Sequence, residues 1–115
     1  MKNKHYDTLQ GLLKQAKPRL ASTHQVTFKN VFGAVAAYVN GNIFISCGTF
    51  GVALKLPPEI IDKLFHEKDV KHLKYFSKGH IKKEYAVLPK RIIDDIPQFK
   101  KLVEKSIEYT LRRTS

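Results

Sequence analysis

Charged side chains are missing from one long stretch, residues 30–54, although Lys, Arg, Asp and Glu make up 27% of the chain. Asn40-Gly41 divides this stretch, and an Asn-Gly pair between two apolar runs is the strongest short-range signal for a β-hairpin. Gly48-Thr49-Phe50-Gly51 marks a second reversal. The pattern predicts a meander of three strands over residues 30–39, 42–47 and 52–56, with residues 26–29 leading into the first.

A turn at Asn40-Gly41 also predicts a register, in which Tyr38 pairs with Ile43, Ala36 with Ile45 and Ala34 with Cys47. One face then carries Phe32, Ala34, Ala36, Tyr38, Ile43, Ile45 and Cys47, and the opposite face carries Val35, Ala37, Val39, Phe44 and Ser46. Because neither face is polar, both are expected to be covered. Glycines, asparagines and turn signals interrupt the stretch before it reaches the ~20 apolar residues of a membrane span.

Apolar residues at helical spacing predict a first helix over residues 6–17, which Pro18 ends. Pro57-Pro58-Glu59 is a typical helix start, and this second helix is expected to end near Lys68. Asp95 followed by Gln98 is a capping box, so a last helix begins at Ile96.

The remaining segments are shorter. Residues 73–76 and 84–88 are predicted strands, and residues 89–93 form one helical turn. The order α-β-β-β-α-β-β-α predicts an α+β domain in two layers, with an antiparallel sheet of about five strands and helices packed on it.

Size and charge limit the function classes. The 115 residues are expected to form one domain, and no apolar leader segment follows the N-terminal Met, so we expect a cytoplasmic protein. The net charge of +11 favours contact with nucleic acid or an acidic protein, but it also serves solubility alone.

Several short motifs in a fixed order resemble one family. They are Val31-Phe32-Gly33-Ala34, Tyr38-Val39-Asn40-Gly41, Pro58 at a helix start, the run from Tyr85 to Pro89, and Asp94-Asp95 before the last helix. Over residues 6–110 the chain resembles the N-terminal domain of TfoX-like competence regulators. The resemblance implies a regulatory domain, associated with control of natural transformation in bacteria, and no catalytic residue. A second resemblance is to the YjbR-like proteins, some of which are linked to DNA binding.

No candidate catalytic or metal-binding set is complete in the sequence. His66-Glu67 lacks the second His one turn later that a zinc protease needs. We therefore expect His66 and His72 to be solvated surface side chains. Cys47 is expected to be a buried, unreactive thiol. Asp94-Asp95 is explained by helix capping. We therefore predict no enzyme activity, no metal and no cofactor.

The basic segment 71–85 is the one group of residues in the sequence that suggests a ligand. Lysines supply salt-sensitive phosphate contacts, and an aromatic ring can stack on bases. The candidate nucleic-acid-binding residues are Lys71, Lys74, Tyr75, Lys78, Lys82 and Lys83. The alternative is a solvated hairpin whose lysines protect an edge strand. The leading hypothesis is a regulatory module with a protein partner, and nucleic-acid binding is the second.

Overall fold

A computed structural model describes residues 4–18, 20, 23–31, 33–67, 69–73 and 82–113. The elements follow in the order α1 (Lys4–Ala16), β1 (Val26–Val31), β2 (Ala34–Val39), β3 (Asn42–Gly48), β4 (Gly51–Lys55), α2 (Pro58–Phe65), β5 (Lys71–Leu73), β6 (Lys82–Leu88), α3 (Lys90–Asp94) and α4 (Ile96–Arg113). All strand pairs are antiparallel, and the sheet order is β1-β2-β3-β4-β6-β5. The α+β prediction is confirmed, with six strands in place of about five.

The additional strand arises from a reversal that the sequence pattern did not reveal. Gly33 has φ +80° and lies between Val31 and Ala34, which pair with each other across β1 and β2. A positive φ is cheap for glycine, so the chain turns here within what was predicted as one continuous strand. Residues 26–29 consequently belong to a separate strand, β1. Phe32 lies outside the described residues.

The hairpin at Asn40-Gly41 is confirmed, with φ of +50° and +84° at the two turn residues. Of the predicted pairs, only Tyr38–Ile43 is correct. The register shifts between Ala37 and Tyr38, so Ala37 pairs with Ile45 and the Ala36–Ile45 prediction is wrong. Phe44 is the extra residue of this β-bulge, which no local turn signal encodes.

The bulge also changes which residues share a face. Val35 pairs with Cys47, so the predicted Ala34–Cys47 pair is wrong as well. The helix-covered core is formed largely by β2 to β4 together with α1 and α4, which pack on these strands. Its strand residues include Val35, Ala37, Val39, Phe44, Ile45, Cys47, Val52 and Leu54.

The other face of the sheet, here called the helix-free face, carries small residues in its centre. Ala36, Ser46 and Ala53 pair across β2, β3 and β4, and all three are 0% exposed. This confirms that both faces are covered. Phe50 contributes to the cover, because a Cβ added at Gly48 would lie 2.7 Å from the Phe50 ring.

The helix boundaries are close to those predicted. α1 ends at Ala16, before Pro18, and α2 ends at Phe65, slightly earlier than expected. α4 begins at Ile96, where the amide of Gln98 donates to Asp95 Oδ1 at 3.3 Å. None of the helices in the described chain combines the length and the hydropathy that crossing a bilayer requires.

Candidate interaction surfaces

The predicted nucleic-acid-binding segment is only partly described. Lys71 is exposed on β5 and Lys83 is exposed on β6, while Lys82 pairs through its backbone with Leu73. Lys74, Tyr75 and Lys78 lie outside the described residues. Their contribution to a binding surface stays a prediction.

The register brings three lysines from distant parts of the chain onto the helix-free face. Lys29 pairs with Ala36, Lys71 pairs with Val87, and Lys55 pairs with Tyr85. Ala36 and Val87 continue one row of the sheet through Ser46 and Ala53, so Lys29 and Lys71 lie at opposite ends of that row. Sequence reasoning missed Lys29 and Lys55, because only the strand register places them on this face.

Acidic side chains are segregated from this face. All ten acidic residues lie in the described part of the chain, and nine of them are in helices or in the short segments next to helices. Glu84 is the exception, and it forms an ion pair with Lys55 at 3.7 Å. The helix-free face is therefore positively charged, although basic residues also lie on every helix.

An ion-pair cluster at the surface holds the turn before β5. Arg91 on α3 donates from Nε and Nη2 to both Asp69 oxygens, at 2.9 and 2.7 Å, and from Nη2 to Glu67 Oε1 at 2.8 Å. The hydrogen bonds from Arg91 hold the pKa of Asp69 below its usual range, and both carboxylates raise the pKa of Arg91. This two-point contact between a guanidinium and a carboxylate fixes orientation as well as distance. It positions β5, and with it Lys71.

His66 and His72, for which the sequence predicted no metal site, lie in separate environments. The Nδ1 atom of His66 lies 2.8 Å from the Asp62 carbonyl, while the His72 ring stacks on Phe65 with centroids 4.2 Å apart. Within the described ranges, no three His, Cys, Asp or Glu side chains come together as a metal would require. The stack of His72 on Phe65 gives β5 a second attachment, this time to α2.

Cys47 is buried in β3, as the apolar run predicted. Burial raises the pKa of its thiol, because a thiolate is poorly solvated among apolar side chains. The nucleophilic form is therefore disfavoured. Gly48 pairs with Gly51, which confirms that residues 48–51 are a hairpin turn.

In the described part of the chain, the longer of the two edge strands of the sheet is β1. It lies at one end of the sheet and has six residues, whereas β5 at the other end has three. Thr27 and Lys29 are exposed along β1, while Val26 and Phe28 turn toward the helix-covered core. An edge strand exposes backbone donors and acceptors to which a partner strand can add.

A match to a family model decides the relationship of this chain. The model is the TfoX N-terminal domain, and it matches residues 19–110. The chain belongs to the TfoX N-terminal domain family. Comparisons with curated proteins and with solved structures gave no match.

The matched range includes all six strands of this TfoX N-terminal domain and its helices α2, α3 and most of α4. It begins after α1, so the helix over residues 4–16 lies outside the match, although the sequence resemblance was extended back to residue 6. Membership of the family confirms the resemblance and supports a regulatory domain of the TfoX type.

Proposed function

We propose that this TfoX N-terminal domain is a non-enzymatic regulatory module that acts by contacting another protein through the β1 edge. The family supports a regulatory domain. The nucleophile that the sequence offers, Cys47, is buried with a raised pKa, which does not suit catalysis. The association with competence, and the location in the cytoplasm, belong to the same proposal.

The observation that carries the proposal is the six-residue strand β1 at one edge of the sheet. Of β5, at the other edge of the sheet, the structure describes three residues. β1 offers six residues, with Lys29 stacked over the Tyr38 ring at 5.3 Å. With a net charge of +11, the domain favours an acidic partner strand over a second copy of itself.

Site-specific photo-crosslinking in the native host tests this proposal. A photoreactive residue at Thr27 on β1 should give one discrete protein adduct, because this exposed position borders the proposed contact. The matched control is a photoreactive residue at Lys101, which is exposed on α4. Equal labelling from both positions, or no protein adduct from Thr27, would contradict the proposal.

A second function, nucleic-acid binding, is favoured by the segregation of charge. Lys29, Lys55 and Lys71 lie on a face from which carboxylates other than Glu84 are absent in the described chain. Under this proposal the predicted segment adds further contacts, from Lys74, Tyr75, Lys78, Lys82 and Lys83. Lysines would contact phosphates, and Tyr75 would stack on a base.

Titration of labelled DNA and RNA at two salt concentrations distinguishes the second function from the first. Each phosphate contact contributes about 0.9 to the slope of log affinity against log salt for duplex DNA. The double variant Lys29→Gln/Lys71→Gln should lower that slope. The control Lys63→Gln/Lys101→Gln removes the same charge from two helices and should lower it less. Equal effects of the two double variants would show that only net charge matters.

A further inference from the structure

An apolar pocket of about 240 Å³ lies where α1, β1, β3 and α4 meet. Its lining residues are Gln10, Leu13, Lys14, Pro18, Leu20, Val26, Phe28, Phe44 and Ile107. Seven of these nine are apolar. The two polar side chains both come from the same face of α1, one turn apart.

We propose that this pocket binds a small organic acid that has one apolar chain or ring and one carboxylate. The apolar part would lie on Phe28, Phe44 and Ile107, and the carboxylate would lie at the mouth beside Lys14. The proposal is independent of the contact through the β1 edge.

Charge at the mouth favours an anion over a neutral or cationic ligand. Lys14 lines the pocket and is exposed, so its ammonium group can reach the solvent side while its aliphatic stem covers the wall. Lys14 forms no ion pair with any described residue. Gln10, half-buried in the same wall, adds an amide that can donate a hydrogen bond.

Among the described residues, no carboxylate lines this pocket. Glu104 and Glu108 line a neighbouring depression together with His24 and Arg112, and Ile107 lines both. Arg112 in that depression offsets part of the charge of the two glutamates. Lys14 is the one charged residue among the described residues that line the apolar pocket.

The volume sets the size of the ligand. A cavity of about 150 Å³ accommodates benzene, so about 240 Å³ corresponds to roughly ten non-hydrogen atoms. Octanoate has about this many atoms and has the required chemistry. A two-chain lipid is too large for the pocket, so we assign it to a free acid.

The pocket combines residues inside the family match with residues that precede it. Gln10, Leu13, Lys14 and Pro18 precede residue 19, where the family match begins, and the other lining residues fall within the match. The ligand site is thus a property of this chain with its α1 helix, and the matched domain alone supplies only part of the wall.

Calorimetric titration of the full chain with octanoate tests the proposal, with octylammonium and acetate as ligand controls. Octanoate should bind saturably with one site, octylammonium should bind several-fold more weakly, and acetate should not bind. NMR shifts should concentrate at the amides of Leu13, Val26 and Phe28. Equal affinity for the two eight-carbon ligands, or shifts spread over the surface, would overturn the assignment.

Variants locate the site. Lys14→Gln keeps most of the stem and should weaken octanoate binding by about two- to fivefold, as expected for an exposed ion pair. Lys63→Gln, on α2, should leave it unchanged. Val26→Phe should block the pocket, and because that change can disturb folding, Leu20→Asp at the exposed rim provides a second block. If octanoate does not bind the wild-type chain, or binds both blocking variants as tightly as the wild type, the proposal is wrong.

Discussion

Two buried hydroxyl groups lie one turn apart on α4, and only one has a hydrogen-bond partner in the described chain. Ser106 Oγ donates to the Phe44 carbonyl at 2.9 Å, while Thr110 Oγ1 has no partner. Both residues are at most 1% exposed. Ser106→Ala is therefore expected to destabilise the fold, whereas Thr110→Val is not.

The difference follows from what each change leaves behind. Phe44 is the bulged residue of β3 and has no partner in the β2 register, so Ser106→Ala leaves its buried carbonyl without the side-chain donor. An unsatisfied buried acceptor costs about 1–3 kcal/mol. Thr110→Val retains the shape and removes a hydroxyl whose unpaired burial costs about 1–3 kcal/mol. We expect it to be neutral or to stabilise by up to about 1 kcal/mol, since the helix propensities of Thr and Val are similar.

Urea unfolding monitored by far-UV circular dichroism measures both effects. With a slope of about 1.5 kcal/mol/M, a loss of about 1–3 kcal/mol lowers the midpoint by about 0.7–2 M. The slope itself should stay constant, because neither variant changes the surface exposed on unfolding. The wild-type chain and both variants are compared under the same conditions.

The reasoning is refuted if Ser106→Ala is as stable as the wild type, because the Phe44 carbonyl would then have another donor. It is also refuted if Thr110→Val loses as much stability as Ser106→Ala, because hydroxyl loss alone would then explain both. A changed slope for Ser106→Ala would indicate that the bulge rearranges.

Three further predictions concern other parts of the fold. Gly41→Ala should destabilise the domain by about 1–2 kcal/mol, because φ is +84° there. Gly11 lies in the interior of α1 with open space around it, so Gly11→Ala should stabilise the domain by up to about 1 kcal/mol. Thermal unfolding of both variants measures the difference. Arg91 lowers the folded-state pKa of Asp69, so the contribution of Asp69 to stability is present above the unfolded pKa near 3.8 and is lost as the pH falls through the folded value. Asp69→Asn should remove this part of the pH dependence of stability, measured by urea unfolding at acidic pH. An unchanged pH dependence in the variant would contradict this prediction. Cys47 in the native chain should react with a thiol reagent only as fast as the domain opens. A labelling rate that does not change with added urea would show that the thiol is accessible in the folded state.

Elements with a local physical signal were predictable from the sequence. Asn40-Gly41 favours a turn by its own conformational preferences, and Asp95 followed by Gln98 fixes the start of α4. The reversal at Gly33 was missed, since the apolar run continues on both sides of it, from Val31 to Val35. A single glycine inside an apolar run is equally consistent with a bulge, a close contact or a turn.

The candidate surfaces were less predictable because they combine distant residues. The run of lysines after Lys68 drew attention to one segment, of which the structure describes Lys71 and the strand from Lys82. Lys29 and Lys55 are isolated in the sequence, and only the order β1-β2-β3-β4-β6-β5 puts them on the same face as Lys71. Arg91 reaches Asp69 across 22 positions of the chain, a contact that charge patterning along the sequence does not reveal.

The bulge at Phe44 links the register, the core and the apolar pocket. In a regular strand Phe44 would have faced away from Ile45, as the alternation predicted. In the structure both belong to the helix-covered core. The Phe44 side chain lines the pocket beside α1, and its carbonyl accepts the hydrogen bond from Ser106. Because the donor is 62 positions away, the alternation of β3 alone could not place this ring, and without its present position the pocket would lose one of its aromatic walls.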